Sequence, residues 1–222
     1  MNVLIVAAHP DDEILGVGGA IARHVDEGDS VYVIIIAWGV ASRYEAEFIN
    51  RQRDNALEAS KILGVKETIF AGLGGADKRF DELPFLEIIK PIEEYIMKCK
   101  PDILYTHHRG DSNTDHQILF KATMSAARVI SPFLVKKILC YETLSSTDQA
   151  PPFVEYVFMP NVFINIEKHL EKKLEAMRCY KFEIKDYPHP RSLESIEFQA
   201  KIWGHKASCK AAEAFMLVRE II

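Results

Sequence analysis

Side chains able to bind a metal ion follow an apolar segment near the start of the chain. Residues 3–8 are Val-Leu-Ile-Val-Ala-Ala, and His9, Asp11 and Asp12 come within the next four positions. An imidazole nitrogen and a carboxylate oxygen are ligands of Zn²⁺, and a third protein ligand would leave one position open for water. His116 is the best candidate for the third ligand, because it too comes between a predicted strand and a helix. We therefore predict that His9, Asp12 and His116 form a zinc site.

The same carboxylates have a simpler interpretation as helix caps. Asp11 or Asp12 could satisfy the free amides of the helix that follows and interact favourably with its dipole. One cap does not require the whole sequence His-Pro-Asp-Asp-Glu, so we favour the metal site. A metal lowers the pKa of a bound water to about 7, and Asp11 could then accept the water's proton as general base. Its alternative role is a hydrogen bond to one of the metal ligands.

Other histidines lie where they could reach the same cleft. His107 and His108 follow one another at the end of a predicted strand, so at least one is expected to line the cleft. His189 lies in a Pro-His-Pro-Arg loop, as a site residue or only as part of a rigid turn. Three glycines of the first helix do not match a dinucleotide-binding fingerprint, because charged residues intervene, and are expected to allow close packing of the helix on the sheet: Gly16, Gly18 and Gly19.

The elements that must position these residues alternate between strand and helix. Buried strands are predicted at 2–8, 30–37, 67–71, 102–106, 136–141 and 162–166. Helices are predicted at 12–27, 48–63, 84–98, 117–129 and 166–185, with a last helical region at 193–218. The prolines of 186–192 predict an extended segment. This alternation indicates an α/β fold with a mostly parallel sheet, helices on both faces and one domain over 1–222. Ligands bind such sheets at the carboxyl ends of the strands.

Composition excludes several classes of function. The formal net charge of −5 and the pI of about 5.9 argue against nucleic-acid binding, which requires a clustered basic face. Four scattered cysteines favour free thiols in a reducing cytoplasm. The sequence has no basic segment before its first apolar run and no apolar stretch long enough for a membrane span. We therefore expect a cytoplasmic protein that acts on a small molecule, with a possible homo-oligomeric state.

Two motifs together resemble a known family. His9-Pro-Asp-Asp-Glu13 after a buried first strand, and Thr106-His-His-Arg-Gly-Asp-Ser-Asn-Thr-Asp-His116 after a later one, are similar to the LmbE-like or PIG-L-type deacetylases. The resemblance implies a Rossmann-like fold, a mononuclear zinc site and hydrolysis of N-acetyl groups from N-acetylglucosamine-type substrates. It also implies the ligands His9, Asp12 and His116 and the base Asp11, which coincides with the interpretation of the residues themselves.

The sequence departs from the family at the proton donor. Many members have a histidine three residues before the third ligand, and Asn113 occupies that position here, although Asp115 is retained. We predict that Asp11 also protonates the leaving amine, with His189 as second and His108 as third candidate. Five charged residues are predicted to bind the sugar: Arg43, Asp77, Arg79, Arg109 and Arg191. A non-catalytic sugar- or nucleotide-binding module and a small-amide hydrolase are the alternatives.

Overall fold

The structure is a computed structural model that describes residues 1–37, 46–73 and 79–222, with only the backbone of 46–49. The strands are β1 (Asn2–Ala7), β2 (Ser30–Ala37), β3 (Glu67–Leu73), β4 (Ile103–His107), β5 (Lys137–Tyr141), β6 (Val162–Asn165) and β7 (Ala212–Glu220). The helices are α1 (Asp12–Asp26), α2 (Ala46–Leu63), α3 (Phe85–Cys99), α4 (Thr114–Ala126), α5 (Leu170–Met177) and α6 (Leu193–Lys206). Within these ranges, no helix combines the length and apolar character needed to cross a bilayer.

Seven strands form one sheet in the order β3-β2-β1-β4-β5-β7-β6. The first five run parallel, and β7 pairs antiparallel with both β5 and β6. The chain proceeds from β1 to β2 and β3 on one side and then returns to β4 on the other, so the strand order reverses between β1 and β4. Ligands of open α/β sheets bind at the carboxyl ends of the strands at such a point. The predicted mostly parallel sheet is confirmed.

Helices cover both faces of this sheet, as alternate residues of β1 demonstrate. Val3, Ile5 and Ala7 belong to a buried cluster with residues of α1, α2, α5 and α6. Leu4 and Val6 belong to a second cluster with residues of α3 and α4. Successive side chains of a strand point to opposite faces. Both faces of β1 are therefore buried, which explains its unbroken apolar sequence.

Glycines allow α1 to pack closely against the sheet, as the sequence predicted. A Cβ atom on Gly16 would lie 2.2 Å from the ring of Tyr141, the last residue of β5. A Cβ atom on Gly19 would lie 2.6 Å from the Ile166 side chain. The Tyr141 ring cannot easily move away, because it is fully buried and its hydroxyl donates to the Val6 carbonyl at 3.0 Å.

The prediction of helix over 193–218 is wrong in its second half. α6 ends at Lys206, and the segment from Ala212 onward forms β7. That segment is rich in alanine, glutamate, methionine and leucine, which favour helices in isolation. In the folded chain it pairs with strands on both sides, and Phe215 is fully buried between Tyr141 and Val162. This tertiary pairing overrides the weak local preference.

The segment that precedes α6 also differs from its prediction. The helix predicted over 166–185 is confined to the eight residues of α5. The segment 186–192 is folded into turns and is not extended: the His189 N–H donates to the Asp186 carbonyl at 3.0 Å, and the Ser192 N–H donates to the His189 carbonyl at 2.9 Å. Its prolines exclude a helix but are compatible with turns.

Candidate metal and catalytic site

The candidate ligands converge because each lies at the carboxyl end of one of two neighbouring strands. His9 lies two residues after β1, and Asp12 is the first residue of α1. His116 lies in the first turn of α4, which follows β4. Since β1 and β4 pair side by side, the three side chains meet, with ligand atoms within 4.8 Å of one another.

The donor set of these three side chains fits a divalent metal ion. Asp12 Oδ2 lies 3.4 Å from His9 Nδ1 and 3.3 Å from His116 Nε2. His116 Nε2 is buried and has no hydrogen-bond partner among the described residues. A buried nitrogen without a hydrogen bond is costly, so each instance requires an explanation. Two imidazoles and one carboxylate, with one nitrogen unengaged, suit the site that Zn²⁺ prefers.

Each of the two histidines also contacts a carboxylate other than Asp12, through the ring nitrogen that does not face Asp12. His9 Nε2 lies 3.0 Å from Asp115 Oδ2, and the other Asp115 oxygen accepts the Phe80 N–H at 3.1 Å. His116 Nδ1 lies 3.1 Å from Asp111 Oδ2. Each histidine can therefore donate from one nitrogen and keep the other, which faces Asp12, free for a metal. This carboxylate–histidine arrangement fixes the tautomer and the ring orientation of metal ligands.

The carboxylates of Asp12, Asp111 and Asp115 stabilise positive charge in this pocket. Burial would lower the pKa of His9, but hydrogen bonds to Asp115 and Asp12 raise it to about 9. Burial also opposes protonation of His116, yet the charge of Asp12 and the hydrogen bond to Asp111 raise its pKa to about 10. The same carboxylates would stabilise a divalent cation held between the two rings.

His107 supports the site from the core and does not line the cleft. It is fully buried, and its ring stacks on His116 with the centroids 3.9 Å apart. Its Nε2 accepts the Ala8 N–H at 3.0 Å, and its Nδ1 lies 3.2 Å from Thr143 Oγ1. Burial and the neighbouring His116 lower its pKa to about 4. Because both nitrogens are engaged, the alternative ligand group of His107, Asp111 and His116 is less suited to a metal.

A third group of possible ligands lies at the opposite end of α1, formed by His24, Glu27 and Asp29. His24 Nδ1 lies 2.8 Å from Asp29 Oδ2, and its Nε2 lies 2.9 Å from the Tyr105 hydroxyl. Both nitrogens of His24 are therefore engaged within the fold, which makes this group less suited to a metal ion.

Asp11 is the carboxylate next to the ligands, and its side chain does not cap α1. Its φ of 108° lies in the left-handed region, and it makes no side-chain capping hydrogen bond. Its Oδ2 lies 3.1 Å from Arg191 Nη1. Burial raises the pKa of Asp11 well above its usual value, and the charge of Arg191 opposes that shift. A buried carboxylate beside a metal site is suited to accept a proton.

Arg191 connects Asp11 to two other segments of the chain. Its Nη1 also lies 2.7 Å from Glu183 Oε2, and its Nε donates to Ser145 Oγ at 2.7 Å. The turn at 186–192 carries Arg191 into the site. His189, in the same turn, is exposed, and its Nδ1 accepts the Arg191 N–H at 3.0 Å.

The remaining predicted site residues are His108, Arg79, Arg109, Arg43 and Asp77. His108 is buried, and its Nε2 donates to the Tyr156 carbonyl at 2.9 Å. Arg79 is exposed and pairs with Asp81 at 3.1 Å, and Arg109 is exposed. Arg43 and Asp77 lie outside the described residues. The roles predicted for these residues and for His189 stay predictions.

The segment 143–147, which follows β5 at the same edge of the sheet, was missed by the sequence reasoning. Thr147 Oγ1 and Ser146 Oγ donate to Asp111 Oδ2 at 2.6 and 3.1 Å. Ser145 Oγ accepts a hydrogen bond from Arg191 Nε at 2.7 Å. The segment thus supports both a metal ligand and the candidate base. Serine or threonine occupies four of its five positions, a composition that could have been noticed at the end of a predicted strand.

Comparison with known proteins identifies the family of the chain. A profile of the family described as GlcNAc-PI de-N-acetylase (PIG-L) matches residues 4–127, which include both motifs. The uncharacterized deacetylase YaiS of Escherichia coli K12 is 31% identical over 186 residues, 81% of this chain and 90% of that protein. The diacetylchitobiose deacetylase of Thermococcus kodakarensis is 26% identical over 92% of this chain and 80% of its own.

A solved structure supports the fold. GalB, the 4-carboxy-2-hydroxymuconate hydratase of Pseudomonas putida KT2440, matches with a TM-score of 0.79 and 20% sequence identity over 100% of this chain and 97% of its own. The relatives named here are enzymes, both deacetylases and a hydratase. The chain is accordingly an enzyme, and the alternative of a non-catalytic binding module is set aside.

Proposed function

Because this chain belongs to the GlcNAc-PI de-N-acetylase (PIG-L) family, we propose that it removes the N-acetyl group from an N-acetylglucosamine-type amino-sugar conjugate, with Zn²⁺ as cofactor. The observation that carries the proposal is the buried His116 Nε2, which makes no hydrogen bond and faces Asp12 at 3.3 Å, next to the buried carboxylate of Asp11. Metal-assisted amide hydrolysis needs a metal site and a proton acceptor beside it. The similarity to a diacetylchitobiose deacetylase supports an amino-sugar substrate.

In this mechanism His9, Asp12 and His116 would hold the metal ion, which when bound would supply Lewis acidity and a water of lowered pKa. The Asp11 carboxylate would accept a proton from the water while the water oxygen attacks the acetyl carbonyl carbon. Arg191 fixes the orientation of the Asp11 carboxylate through the contact at 3.1 Å. Asp111 and Asp115 hold the two ligand rings in place from the other side.

Cleavage of the C–N bond leaves an amine that must take up a proton. Asn113 cannot supply it, because an amide does not titrate near neutral pH, and its Oδ1 accepts the Asp115 N–H at the start of α4. Asp11 can return the proton that it took from water to the amine nitrogen, which keeps the proton balance within one residue. His189 is a second candidate because it is exposed in the turn beside Arg191, and His108 is a third.

We further propose that residues 1–222 form one domain of this family, since a single sheet includes strands from Asn2 to Glu220. The charged residues outside the metal cluster would then bind the sugar: Arg43, Asp77, Arg79, Arg109 and Arg191. For Arg191 this role is added to its contact with Asp11.

Acetate release from a panel of N-acetylhexosamines and their conjugates tests the proposal. We expect release by the zinc-loaded protein and none after chelation of the metal. His116→Ala should lose bound zinc and activity together, whereas His205→Ala, an exposed histidine on α6, should keep both. Absence of acetate from every member of the panel, or unchanged zinc content in His116→Ala, would refute the proposal.

A further inference from the structure

We infer that Tyr180 is a positioning residue for Asp11, the proposed base, and that it acts through the buried carboxylate of Glu13. The inference rests on the proposed function, because it gives Tyr180 a part in the reaction for which Asp11 would serve as base. Tyr180 is 0% exposed, so it lies out of reach of a substrate. Its effect on the reaction would come from the way in which it holds the Asp11 backbone.

The carboxylate of Glu13 bridges Tyr180 and Asp11. The Tyr180 hydroxyl donates to Glu13 Oε1, and the Asp11 backbone N–H donates to Glu13 Oε2 at 3.1 Å. Glu13 is 1% exposed, so solvent does not replace either partner. A buried carboxylate oxygen without a hydrogen bond is costly. Loss of the Tyr180 hydroxyl would therefore force Glu13 to move or to draw in water, and either change would weaken its bond to Asp11.

This bridge holds the backbone of Asp11 and leaves its side chain free at the start of α1. In a capping box, the N-cap side chain accepts an amide of the first turn, and a side chain of that turn accepts the N-cap amide. Glu13, the second residue of α1, makes a bond of the latter kind, whereas Asp11 makes no side-chain capping hydrogen bond. The amide of Asp11 is thus satisfied while its carboxylate is available to contact Arg191.

The bond to Glu13 also helps to enforce a strained backbone conformation at Asp11. Its φ of 108° is unusual for a residue other than glycine, and such a conformation persists only where the surroundings enforce it. The Asp11 carbonyl accepts the N–H groups of Ile14 and Leu15 at 3.0 and 2.9 Å. The residue is therefore held by α1 on its carbonyl side and by Glu13 on its amide side. Release of the amide side would let φ relax and would turn the carboxylate away from the metal ligands.

The turn that begins at Tyr180 reaches Asp11 by a second route. The Tyr180 carbonyl accepts the Glu183 N–H at 2.9 Å, which closes a turn shortly after α5. Glu183 Oε2 lies 2.7 Å from Arg191 Nη1, and the same nitrogen lies 3.1 Å from Asp11 Oδ2. One turn thus acts on both the backbone and the carboxylate of Asp11, each through one intermediate residue. This convergence distinguishes Tyr180 from a tyrosine that only fills the core.

Tyr180→Phe removes only the hydroxyl and tests the inference. In the zinc-loaded enzyme kcat should fall roughly 10–100-fold, because a misplacement of about 1 Å can cost about 10²-fold in rate. KM and the zinc Kd should stay unchanged, since Tyr180 contacts neither substrate nor a metal ligand. The matched control is Tyr105→Phe. It removes another buried tyrosine hydroxyl, which lies 2.9 Å from His24 Nε2 at the other end of α1, and it should leave kcat unchanged.

A double-mutant cycle with Asp11→Asn separates positioning from a general loss of structure. If Tyr180 acts through Asp11, Tyr180→Phe should cause no further loss of kcat once the Asp11 carboxylate has been replaced. Equal fold-losses in the wild-type and Asp11→Asn backgrounds would overturn the inference, because Tyr180 would then act independently of the base. An unchanged kcat in Tyr180→Phe, or a loss through KM alone, would overturn it as well.

Hydrogen exchange of the Asp11 amide, followed by NMR, gives a result that does not depend on hydrolysis of any sugar. Tyr180→Phe should lower the protection of this amide about tenfold, as expected when one hydrogen bond is weakened, whereas Tyr105→Phe should not. A protein with this change that releases no acetate would contradict the proposed function and support the hold of Tyr180 on Asp11. Unchanged protection would overturn the inference and leave the proposed function standing.

A second variant keeps the test decisive if Tyr180→Phe does not fold. Glu13→Ala removes the bridging carboxylate and leaves the Tyr180 ring in place. The same loss of protection at the Asp11 amide is expected, because its acceptor is gone. Unchanged protection in Glu13→Ala would overturn the inference too.

Discussion

Replacement of Asp111 by asparagine tests whether the carboxylate behind His116 sets its affinity for the metal. Asp111 Oδ2 lies 3.1 Å from His116 Nδ1 and accepts the hydroxyls of Thr147 and Ser146. An NH₂ group in that place would meet three donors. His116 could then pair with it only by moving its proton to Nε2, the nitrogen that faces Asp12. The proton on Nε2 would then block the atom that binds the metal, and metal binding would require the proton to return to Nδ1.

The size of the effect follows from the hydrogen bond that is lost. A hydrogen bond to a charged group contributes about 1.5–3 kcal/mol, and about 1.4 kcal/mol corresponds to a tenfold change in affinity. We therefore expect a Kd for zinc that is roughly 10–100 times higher, in the range observed when such supporting residues are mutated. Competition with a fluorescent zinc chelator at fixed pH measures it.

A matched control separates this effect from a general loss of a carboxylate. Asp102→Asn makes the same chemical change at the opposite edge of the sheet, where Asp102 accepts the Asn2 N–H at 2.8 Å, and should leave the zinc Kd unchanged. The asparagine at 111 could also turn its oxygen toward His116, but only by placing NH₂ against the Asn113 N–H that now donates to Asp111 Oδ1 at 2.8 Å. Asp111→Ala removes both options. Folded Asp111→Ala with a wild-type zinc Kd would refute the reasoning.

Three further predictions follow from the same contacts. Asp11→Asn should keep the fold and the metal, because asparagine tolerates the left-handed conformation, and should lose roughly 10²–10⁴-fold in kcat; loss of zinc would instead identify Asp11 as a ligand, and full activity would leave it only a hydrogen-bonding role. Gly16→Ala should cost about 1–3 kcal/mol in the free energy of unfolding, because its Cβ would lie 2.2 Å from the Tyr141 ring, and an unchanged Tm would contradict that packing. The pKa values of His9 and His116, about 9 and about 10, exceed the unfolded value of about 6.5. Their contribution to the stability of the metal-free protein is therefore fully present below about pH 6.5 and is lost as the pH rises through 9 to 10, whereas zinc affinity rises over that range because protons compete with the metal. Thermal melts with and without chelator across these pH values check the opposite trends.

The sequence predicts the parallel half of the sheet well, because the strands inside it, β1, β2 and β4, are mostly buried on both faces. β1 and β2 are unbroken apolar runs, and the chain between them has a helical period that ends at a glycine. Such signals are local and strong. β7 carries no comparable signal, since it lies near the sheet edge and its identity depends on pairing with β5 and β6. Pairing over long sequence distances cannot be inferred from composition.

The same distinction applies to the site. His9 and Asp12 lie three residues apart, and the family resemblance that they suggested is confirmed by the profile match. The residues that support the ligands come from elsewhere: Asp111 follows β4, Thr147 follows β5, and Arg191 lies 180 residues after Asp11. Their partnership depends on the order of strands in the sheet, which the sequence does not specify residue by residue.

Arg191 contacts two residues with strained backbone conformations, Asp11 and Ser145. Asp11 and Ser145 both have positive φ, 108° and 73°, although neither is a glycine. Each such conformation costs about 1–3 kcal/mol and persists only where the surroundings enforce it. Arg191 contacts both side chains, at 3.1 Å and 2.7 Å. One guanidinium from the last third of the chain thus joins the loops after β1 and β5. The backbone strain at Asp11 keeps its carboxylate out of a helix-capping position, and the contact with Arg191 holds that carboxylate beside the metal ligands.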